Sequence, residues 1–515
     1  MSTDNNKLNI KTAQDIQNPK LTIDADVVVI GSGAGGAINA YELAKQGKKV
    51  VVLEAGPYVP SSEFKEMLAM AMGTLYQDEG GQSNTHGDVT VLQGACVGGS
   101  TVVNAALCFR TPDYFLNLWR DEHGLGNLTP ERMSGYFDKI EKNLSIEPNA
   151  RHETSIGADL ILKGLNKLNI EPGIAKRNIR DCAMTGFCFS GCKTDRKQSM
   201  LVTYLPWACN HGAEIYADTR VTRIVTKNGQ AAGVEAEVVD PKTKVVKTQV
   251  TVNAPIVVLA AGPVQSPIIL QRSGIANSSG QVGKNFACHP SMSVTAMFEE
   301  KVDDFHGATH SLYVDTHTLP DEGGYILLNA VQEPVEASFQ AEPGTGKNYV
   351  AYMEKYRNSI RLITLIHDKN VGEVRYTDGV KEILYEVDDH DFDAMKEGLK
   401  FNAKILFASG AKYLYLPTSD RTVINSVVEI DDVIDSLKNE PARYRYTSFH
   451  PQGTCRMGAD PKTSVVNPYG ETHDVKKLYI SDASLLPTSI GYNPSETVYA
   501  LSSYIADEII KANFS

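Results

Sequence analysis

Three of the eight cysteines in the sequence lie within eleven residues, in the segment CAMTGFCFSGCK that begins at Cys182. Their spacing, C-x5-C-x3-C, joins Cys182 to Cys188 and Cys192 and differs from the paired C-x2-C spacing of zinc ribbons. Three thiolates at irregular short spacing suit a three-iron cluster. Two alternatives stay open: a disulfide between two of the three, and packed thiols, because Cys188 and Cys192 stand one helical turn apart and free cysteine behaves as a small hydrophobic residue.

A glycine-rich turn near the N-terminus has the residues to bind a dinucleotide. In DADVVVIGSGAGGAINAYELAKQGKKVVVLEAG an apolar run is followed by G-x-G-x-x-G, then by helical periodicity, and then by a second apolar run that ends at Glu54. The pattern places Gly31, Ser32, Gly33 and Gly36 at a helix N-terminus, where free N–H groups and the helix dipole favour a pyrophosphate. Glu54 is positioned to accept hydrogen bonds from ribose hydroxyls, which disfavours a 2′-phosphate and leaves FAD or NAD.

Two later segments are not explained by a simple NAD-binding unit. GACVGGSTVVN, residues 94 to 104, is a second glycine-rich turn; APIVVLAAGPVQSPIILQRSGI, residues 254 to 275, predicts a buried strand, a small-residue break and a helix that starts near Pro267. Together the three segments resemble the glucose-methanol-choline (GMC) flavoprotein oxidoreductases. In that family a GGS-x-x-x-N segment lies along the isoalloxazine ring and a G-P-x-x-S-P signature follows the third strand. The signature departs from the family at Ala276, where glycine is usual.

A C-terminal block strengthens the resemblance. HPQGTCRMG begins at His450, and LYISDASLLPTSIGYNPSETVYALSSYIADEII carries the pair Asn493-Pro494. The resemblance implies that His450 stands over the flavin as base or proton carrier and that Asn493 orients the hydroxyl group, as in the His/Asn branch of the family. The residue types suit these roles, because histidine titrates near the working pH and a positioned amide can hold a hydroxyl or a developing carbonyl.

The resemblance also implies which residues bind the cofactor. Val103 stands before Asn104, where choline oxidases carry the histidine that tethers the flavin, so we expect non-covalent FAD. The implied FAD-binding residues are Gly31, Ser32, Gly33, Gly36, Glu54, Gly94, Gly98, Gly99, Ser100, Asn104, Val221, Asp482, Ala483 and Pro494. Some membrane-linked sugar dehydrogenases of the family bind a [3Fe-4S] cluster through a comparable segment, which makes Cys182, Cys188 and Cys192 candidate iron–sulfur ligands.

The elements around these residues predict an α/β fold with two domains, since 515 residues exceed what one hydrophobic core usually supports. We expect a Rossmann-type FAD-binding domain assembled from separated segments, residues 1–110, 200–290 and 445–515. Residues 111–199 and 291–444 then form a substrate-binding domain, which the resemblance implies is an antiparallel sheet backed by helices, the GMC/p-hydroxybenzoate-hydroxylase-like architecture. Within it, GEVRYTDGVKEILYEV predicts a hairpin around the turn TDG, and KEGLKFNAKILFASGA predicts the end of an amphipathic helix.

Charge and hydropathy limit the partners. The chain has 50 Lys and Arg against 62 Asp and Glu, a net charge of −12 that is spread along the sequence. This balance argues against nucleic acid or an anionic membrane surface as the main partner. We expect no transmembrane segment, because no run of eighteen apolar residues occurs. The N-terminal sequence lacks the apolar core of a signal peptide, so the expected location is cytoplasmic. The oligomeric state is unknown from the sequence.

These observations predict an FAD-dependent alcohol oxidoreductase. The segment HGATHSLYVDTHTLPDEGGYILLNAV, expected in the pocket, mixes His, Tyr and aliphatic residues without clustered charge, which favours a neutral, rather apolar small-molecule alcohol. We expect hydride transfer to flavin N5 with His450 as base, followed by electron transfer to a quinone or protein acceptor. The alternatives are an oxidase that reduces O2 to H2O2 and a non-redox lyase or photoenzyme on the same fold.

Overall fold

The computed structural model of the protein describes residues 8–340, 346–420 and 422–514. Parts of the predicted domain segments, residues 1–7, 341–345, 421 and 515, lie outside the described residues. The strands are β1 (Ile10–Lys11), β2 (Lys20–Asp24), β3 (Val27–Ile30), β4 (Val50–Leu53), β5 (Val89–Val91), β6 (Leu107–Cys108), β7 (Ile146–Pro148), β8 (Gly173–Ile174), β9 (Lys176–Asn178), β10 (Glu214–Tyr216), β11 (Thr219–Lys227), β12 (Gln230–Val239), β13 (Val246–Asn253), β14 (Ile256–Leu259), β15 (Lys284–Phe286), β16 (Ser291–Met297), β17 (Leu312–Val314), β18 (Tyr325–Ala330), β19 (Ser359–Ile366), β20 (Gly372–Thr377), β21 (Val380–Leu384), β22 (Tyr413–Tyr415), β23 (Val423–Ile424), β24 (Tyr446–Ser448) and β25 (Leu478–Ile480). The helices are α1 (Ala34–Lys45), α2 (Leu68–Leu75), α3 (Ser100–Val103), α4 (Asp113–His123), α5 (Pro130–Leu144), α6 (Ile156–Lys167), α7 (Tyr204–Asn210), α8 (Gly262–Ser273), α9 (Pro334–Gln340), α10 (Lys347–Glu354), α11 (Asp389–Ala408), α12 (Ile430–Asp435) and α13 (Ser495–Phe514).

A parallel sheet of six strands, in the order β1-β10-β4-β3-β14-β25, forms the nucleotide-binding layer. The runs VVVI, VVVL and IVVL of β3, β4 and β14 are completely buried, as expected of strands covered on both faces. Gly31 and Glu54 directly follow β3 and β4, and Asp482 lies just beyond β25. The carboxyl ends of these strands therefore bring three predicted cofactor residues to one edge of the sheet.

A largely antiparallel sheet of nine strands forms the second layer, with the path β23-β22-β16-β19-β18-β17-β8 and the further strands β24 and β5. Helix α11 packs on β16, β18 and β19. This arrangement confirms the predicted fold class. Strands β5 and β24 come from segments assigned to the FAD-binding domain but pair with each other beside β16, and His450 follows β24. The exact domain boundaries stay a prediction.

The hairpin around TDG is confirmed, because β20 pairs with β21 in antiparallel register from Glu373–Leu384 to Thr377–Val380. The predicted start of a helix near Pro267 is wrong, since α8 begins at Gly262 and contains Pro267 in its interior. Proline has no N–H to bond the carbonyl of Pro263 one turn earlier. The Thr454 hydroxyl donates to that carbonyl at 2.6 Å and so replaces the missing hydrogen bond.

Ala276, where the family signature usually has glycine, has a backbone conformation that favours glycine. Ala276 adopts φ +59°, in the left-handed region where glycine carries no penalty. Its side chain is buried, and the turn after α8 forms with an alanine at this left-handed position. No helix among the described residues has both the length and the apolar composition needed to cross a bilayer.

Candidate active site

One cavity extends from the dinucleotide-binding turn to the inner face of the antiparallel sheet. It is lined at one end by Gly33 and Glu54 and at the other by His450 and Asn493. Of the predicted cofactor residues, those that line it are Gly31, Gly33, Glu54, Gly94, Gly99, Ser100, Asn104, Val221, Asp482, Ala483 and Pro494. The structure thus brings together residues from all three segments that were assigned to the FAD-binding domain, 1–110, 200–290 and 445–515.

Two glycine-rich turns contact each other in the wall of this cavity. Gly33 is the N-cap of α1. It has no side chain that could accept a hydrogen bond from the first N–H groups of the helix, and these groups face the cavity. Gly99 has φ +55°, and a Cβ there would come within 2.7 Å of the Gly33 Cα. The bare backbone at both positions leaves room for a pyrophosphate against the helix N-terminus.

Three predicted residues that do not line the cavity support its shape. The Ser32 backbone N–H and hydroxyl donate to Glu54 Oε2 at 2.9 and 2.6 Å, and the Gly98 N–H donates to Ser32 Oγ at 2.9 Å. Gly36 lets α1 approach the end of β3 closely, because a Cβ at this position would lie only 1.9 Å from the carbonyl oxygen of Gly31. Burial raises the pKa of Glu54, and its hydrogen bonds to Ser32 and Gly56 oppose that shift.

Asp482 is fixed by hydrogen bonds at the edge of the parallel sheet. Its Oδ2 accepts from the Gly262 N–H at 2.8 Å and from the Ser266 hydroxyl at 2.6 Å, and its Oδ1 accepts from the Ser484 N–H at 2.8 Å. Burial raises the pKa of Asp482, against the pull of these hydrogen bonds. The carboxylate faces the cavity and fits the predicted contact with ribose or ribityl hydroxyls.

His450 and Asn493 contact each other at the opposite end of the cavity. Asn493 Nδ2 lies 2.9 Å from His450 Nε2, although the two residues are on different elements, the loop after β24 and the loop before α13. Burial lowers the pKa of His450 well below its usual value, and the nearby His289 and His310 imidazoles lower it further. His450 is therefore neutral at physiological pH.

The cavity beside this pair is apolar. Leu328 on β18, Ile363 and Leu365 on β19, and the aromatic rings of Phe189 and Phe449 line it. Phe189 stacks on Phe449 with ring centroids 5.0 Å apart. No carboxylate or guanidinium lines this end of the cavity among the described residues, the nearest acidic and basic lining groups being those at the nucleotide end.

The three clustered cysteines are half-buried and free, so the alternative of a disulfide between two of them is not formed in this structure. Lys197 connects them to the second glycine-rich turn: its buried Nζ donates to the carbonyls of Val102, Asn104 and Cys188 at 2.7, 2.7 and 2.8 Å. Burial would raise the pKa of Cys192, but hydrogen bonds from Thr194 and the Lys197 N–H outweigh it and lower that pKa. The segment is thereby held beside the predicted flavin-binding residues, and its Phe189 lines the cavity.

The GMC oxidoreductase family models match residues 72–291 and 368–502, and an FAD binding domain model matches residues 26–80. An uncharacterised GMC-type oxidoreductase of Sinorhizobium fredii is 31% identical over 506 residues, which cover 95% of this chain and 95% of the relative. The chain belongs to the GMC oxidoreductase family.

Other GMC proteins extend the comparison. A long-chain-alcohol oxidase of Arabidopsis thaliana is 29% identical over 531 residues, covering 98% of this chain and 70% of the relative. The solved structure of a formate oxidase of Aspergillus oryzae, from work on its FAD modification, superposes with a TM-score of 0.72 at 17% identity, covering 96% of this chain and 99% of that one. At that identity the second comparison shows the shared fold.

The residues present fit FAD. Three features match the pyrophosphate and hydroxyl groups of a dinucleotide: the uncapped N-terminus of α1, the glycine contact at Gly33 and Gly99, and the buried carboxylates Glu54 and Asp482.

Unfolding is expected to release FAD from this GMC oxidoreductase, because position 103 is a valine with no nucleophilic atom. The measurement is the flavin absorbance of the filtrate after denaturation in urea and ultrafiltration. Flavin retained above the membrane with the unfolded chain would contradict a non-covalent cofactor.

Sequence reasoning missed two histidines of the site. His289 contacts His450 across 161 positions of sequence, with Nδ1 atoms 3.4 Å apart, and His310 lines the same cavity. His310 occurs in the segment that was expected to line the pocket, but nothing in its neighbourhood distinguishes it from the other histidines there. Only the packing of β16, β18 and β24 brings these residues to His450.

Proposed function

We propose that the protein catalyses the FAD-dependent oxidation of a neutral, rather apolar alcohol to an aldehyde or ketone. The observation that carries the proposal is the single cavity that joins the dinucleotide-binding turn to the His450–Asn493 pair and an apolar wall. The Arabidopsis relative named as a long-chain-alcohol oxidase supports it. FAD bound in this cavity would supply the acceptor for the hydride that leaves the carbinol carbon.

The polar residues at the apolar end would bind and activate the alcohol. His450 and Asn493 would contact the hydroxyl oxygen, in the manner of the His/Asn branch of the family, and a neutral imidazole would take the hydroxyl proton. The sequence favours His450 as that base. The apolar residues would bind the body of the alcohol and exclude water, which strengthens each polar contact with the oxygen.

A series of unbranched primary alcohols is expected to test the apolar wall. Burial of each methylene contributes about 0.8 kcal/mol, so the alcohol concentration needed for half-maximal flavin reduction should fall about three- to fourfold per carbon until the cavity is filled. The measurement is anaerobic loss of the oxidised flavin absorbance. Ile363→Thr, which keeps the branch at Cβ, removes the terminal methyl group and places a hydroxyl in the wall, should flatten this dependence. If no alcohol in a broad panel reduces the flavin, the proposed function is wrong.

The electron acceptor is proposed to be a quinone or a protein, with an iron–sulfur cluster at the three cysteines as an intermediate carrier. Two contacts support this: Lys197 joins the Cys188 carbonyl to the Val102 and Asn104 carbonyls, and Phe189 lies in the cavity wall directly after Cys188. The buried Lys197 ammonium would also offset the negative charge of thiolate ligands. The alternative is an oxidase, which peroxide formation in air would reveal.

Protein purified without oxygen is expected to contain iron and acid-labile sulfide. Cys188→Ala should abolish the iron content while FAD remains bound, because Cys188 is a proposed ligand and does not line the flavin cavity. Cys209→Ala is the matched control, since Cys209 is also free and half-buried but lies outside the segment. Protein that contains FAD but no iron would leave direct transfer from the flavin as the electron route.

We further propose a cytoplasmic location. All eight cysteines are free, which fits a reducing compartment.

A further inference from the structure

The two polar residues at the apolar end of the cavity lie on separate loops. His450 follows β24 and Asn493 precedes α13, so the 2.9 Å contact between their side chains depends on how the two loops are held together. Both loops form hydrogen bonds with the segment between β15 and β16, which contains Cys288 and His289. The hydrogen bonds of this segment therefore help to determine the geometry of the pair.

Hydrogen bonds connect Cys288 to the backbone of His450. The hydroxyl of Ser448, the last residue of β24, donates to the Cys288 carbonyl oxygen. The Ser448 oxygen in turn accepts from the His450 N–H at 3.2 Å. Gln452 adds a second connection, because its amide nitrogen donates to the His450 carbonyl oxygen at 3.2 Å and lies 3.0 Å from His289 Nε2. The loop after β24 is thus bound to the segment on both sides of its histidine.

The loop before α13 is bound to the same segment. The backbone N–H groups of Ile490 and Gly491 donate to His289 Nε2 at 3.3 and 3.1 Å. A backbone N–H has one hydrogen and a fixed direction, so these two contacts restrict the position of the loop relative to the histidine ring. Asn493 follows two residues after Gly491, and its position depends on these contacts.

A buried carboxylate joins the two loops. Asp368 lies two residues after β19 and is 1% exposed. Its Oδ2 accepts from the Cys288 N–H at 2.6 Å and from the Tyr385 hydroxyl at 3.1 Å, and its Oδ1 accepts from the Ser489 hydroxyl at 2.7 Å. Burial raises the pKa of Asp368, and the hydrogen bonds from Cys288 and Ser489 oppose that shift. One oxygen therefore holds the segment that binds the loop after β24, and the other holds the loop before α13.

We propose that Asp368 is a positioning residue for the alcohol oxidation. Its two oxygens set the distance between the loops of His450 and Asn493, and thereby the geometry in which both side chains meet the hydroxyl group. Asp368 does not line the cavity, so it acts through these loops and has no contact with the alcohol. The inference rests on the proposed function. A misplacement of reacting groups by about 1 Å can reduce a rate by about 10²-fold, so the loss of this connection should slow the reaction.

The first test compares Asp368→Ala with Asp368→Asn in anaerobic flavin reduction over a range of alcohol concentrations. Alanine removes the acceptors of the Cys288 N–H and the Ser489 hydroxyl, so the limiting rate should fall about 10²-fold. Asparagine can accept from the Cys288 N–H through its oxygen and donate to the Ser489 oxygen through its amide, so its rate should stay within about tenfold of the wild type.

The alcohol concentration for half-maximal rate should change less than about twofold in both variants, because the apolar wall that binds the body of the alcohol is intact. Two results would overturn the proposal. The first is an alanine variant that reacts at the wild-type rate, and the second is an asparagine variant that is as slow as the alanine variant.

The second test determines whether Asp368 acts through His450. The double variant Asp368→Ala/His450→Ala should be at most about threefold slower than His450→Ala alone, because an imidazole that has been removed cannot be misplaced. Losses that multiply in the double variant would assign Asp368 to a different step and contradict the positioning role.

Asp304→Ala is the matched control. Asp304 is also buried and also accepts a backbone hydrogen bond, from the Gly157 N–H at 2.8 Å, but it lies at the start of α6 and does not line the cavity. The variant should have a lower thermal unfolding midpoint and an unchanged rate of flavin reduction per bound FAD. A rate as low as that of Asp368→Ala would mean that any lost buried carboxylate slows the reaction through stability, and the proposal would fail.

Flavin absorbance gives the FAD content of each variant, so that rates are expressed per bound FAD. If Asp368→Ala does not fold or loses FAD, Ser489→Ala decides, because it removes one hydrogen bond of the carboxylate and leaves the one from Cys288. This variant should be about tenfold slower than the wild type, and a wild-type rate would overturn the proposal. Wild-type flavin that no alcohol reduces would contradict the proposed function itself, whereas unchanged rates in the variants would contradict only the role of Asp368.

Discussion

Replacement of His450 by alanine is expected to slow flavin reduction by a saturating alcohol about 10²- to 10³-fold, because it removes the imidazole proposed to bind the hydroxyl group and take its proton. His450 is buried at the end of the cavity and lies 2.9 Å from Asn493. The measurement is stopped-flow absorbance of the flavin under anaerobic conditions. FAD content should not change, because the cofactor contacts assigned to the nucleotide end of the cavity are intact.

The matched control is His390→Ala, which removes an exposed imidazole on α11 and should leave the rate unchanged. A second comparison uses Asn493→Ala alone and together with His450→Ala. Because the two side chains contact each other, the double variant should be little slower than the slower single variant. Additive losses would mean that the two residues act on different steps, and an unchanged rate in His450→Ala would remove this residue from the reaction.

Local sequence was sufficient for the dinucleotide-binding unit. The runs VVVI and VVVL, the glycines between them and Glu54 are contiguous, and their order alone predicts β3, the turn, α1 and β4. The same holds for the hairpin around TDG, where alternation and turn residues are adjacent in the chain. The helix start near Pro267 failed for the opposite reason: the hydroxyl that compensates for this proline belongs to Thr454, far away in sequence.

The polar network of the site could not be predicted in this way. His289 and His310 become neighbours of His450 only through the nine-stranded sheet, whose strands come from residues 89–91, 173–174 and 291–448. Similarly, C-x5-C-x3-C indicates three thiolates, but the contacts that place them beside the second glycine-rich turn depend on Lys197. Residue types at a given spacing suggest a chemistry, whereas the contacts that decide the role of each residue depend on the partners that folding supplies.

Replacement of Gly33 by alanine is expected to abolish FAD binding at micromolar concentrations while the apoprotein stays folded. The structure itself tolerates a Cβ at this position: Gly33 has φ −72°, and the nearest atom is the Gly99 Cα at 3.8 Å, an ordinary van der Waals contact. The same Cβ would point into the gap between the two glycine-rich turns, where the pyrophosphate must approach the backbone. The measurements are flavin content after purification and the thermal unfolding midpoint of the apoprotein.

Substitutions at two other glycines, Gly36 and Gly47, distinguish loss of the cofactor contact from loss of stability. Gly36→Ala places a Cβ 1.9 Å from the carbonyl oxygen of Gly31, so it should destabilise the apoprotein by about 1–3 kcal/mol through overpacking. Gly47→Ala is the control for strain, because Gly47, two residues after α1, has φ +74°, which disfavours alanine, while no atom lies within 4 Å of the added Cβ and the position does not line the cavity. It should retain FAD. If Gly33→Ala binds FAD as tightly as Gly47→Ala, the pyrophosphate does not lie at the N-terminus of α1, and the cofactor occupies the cavity in another orientation.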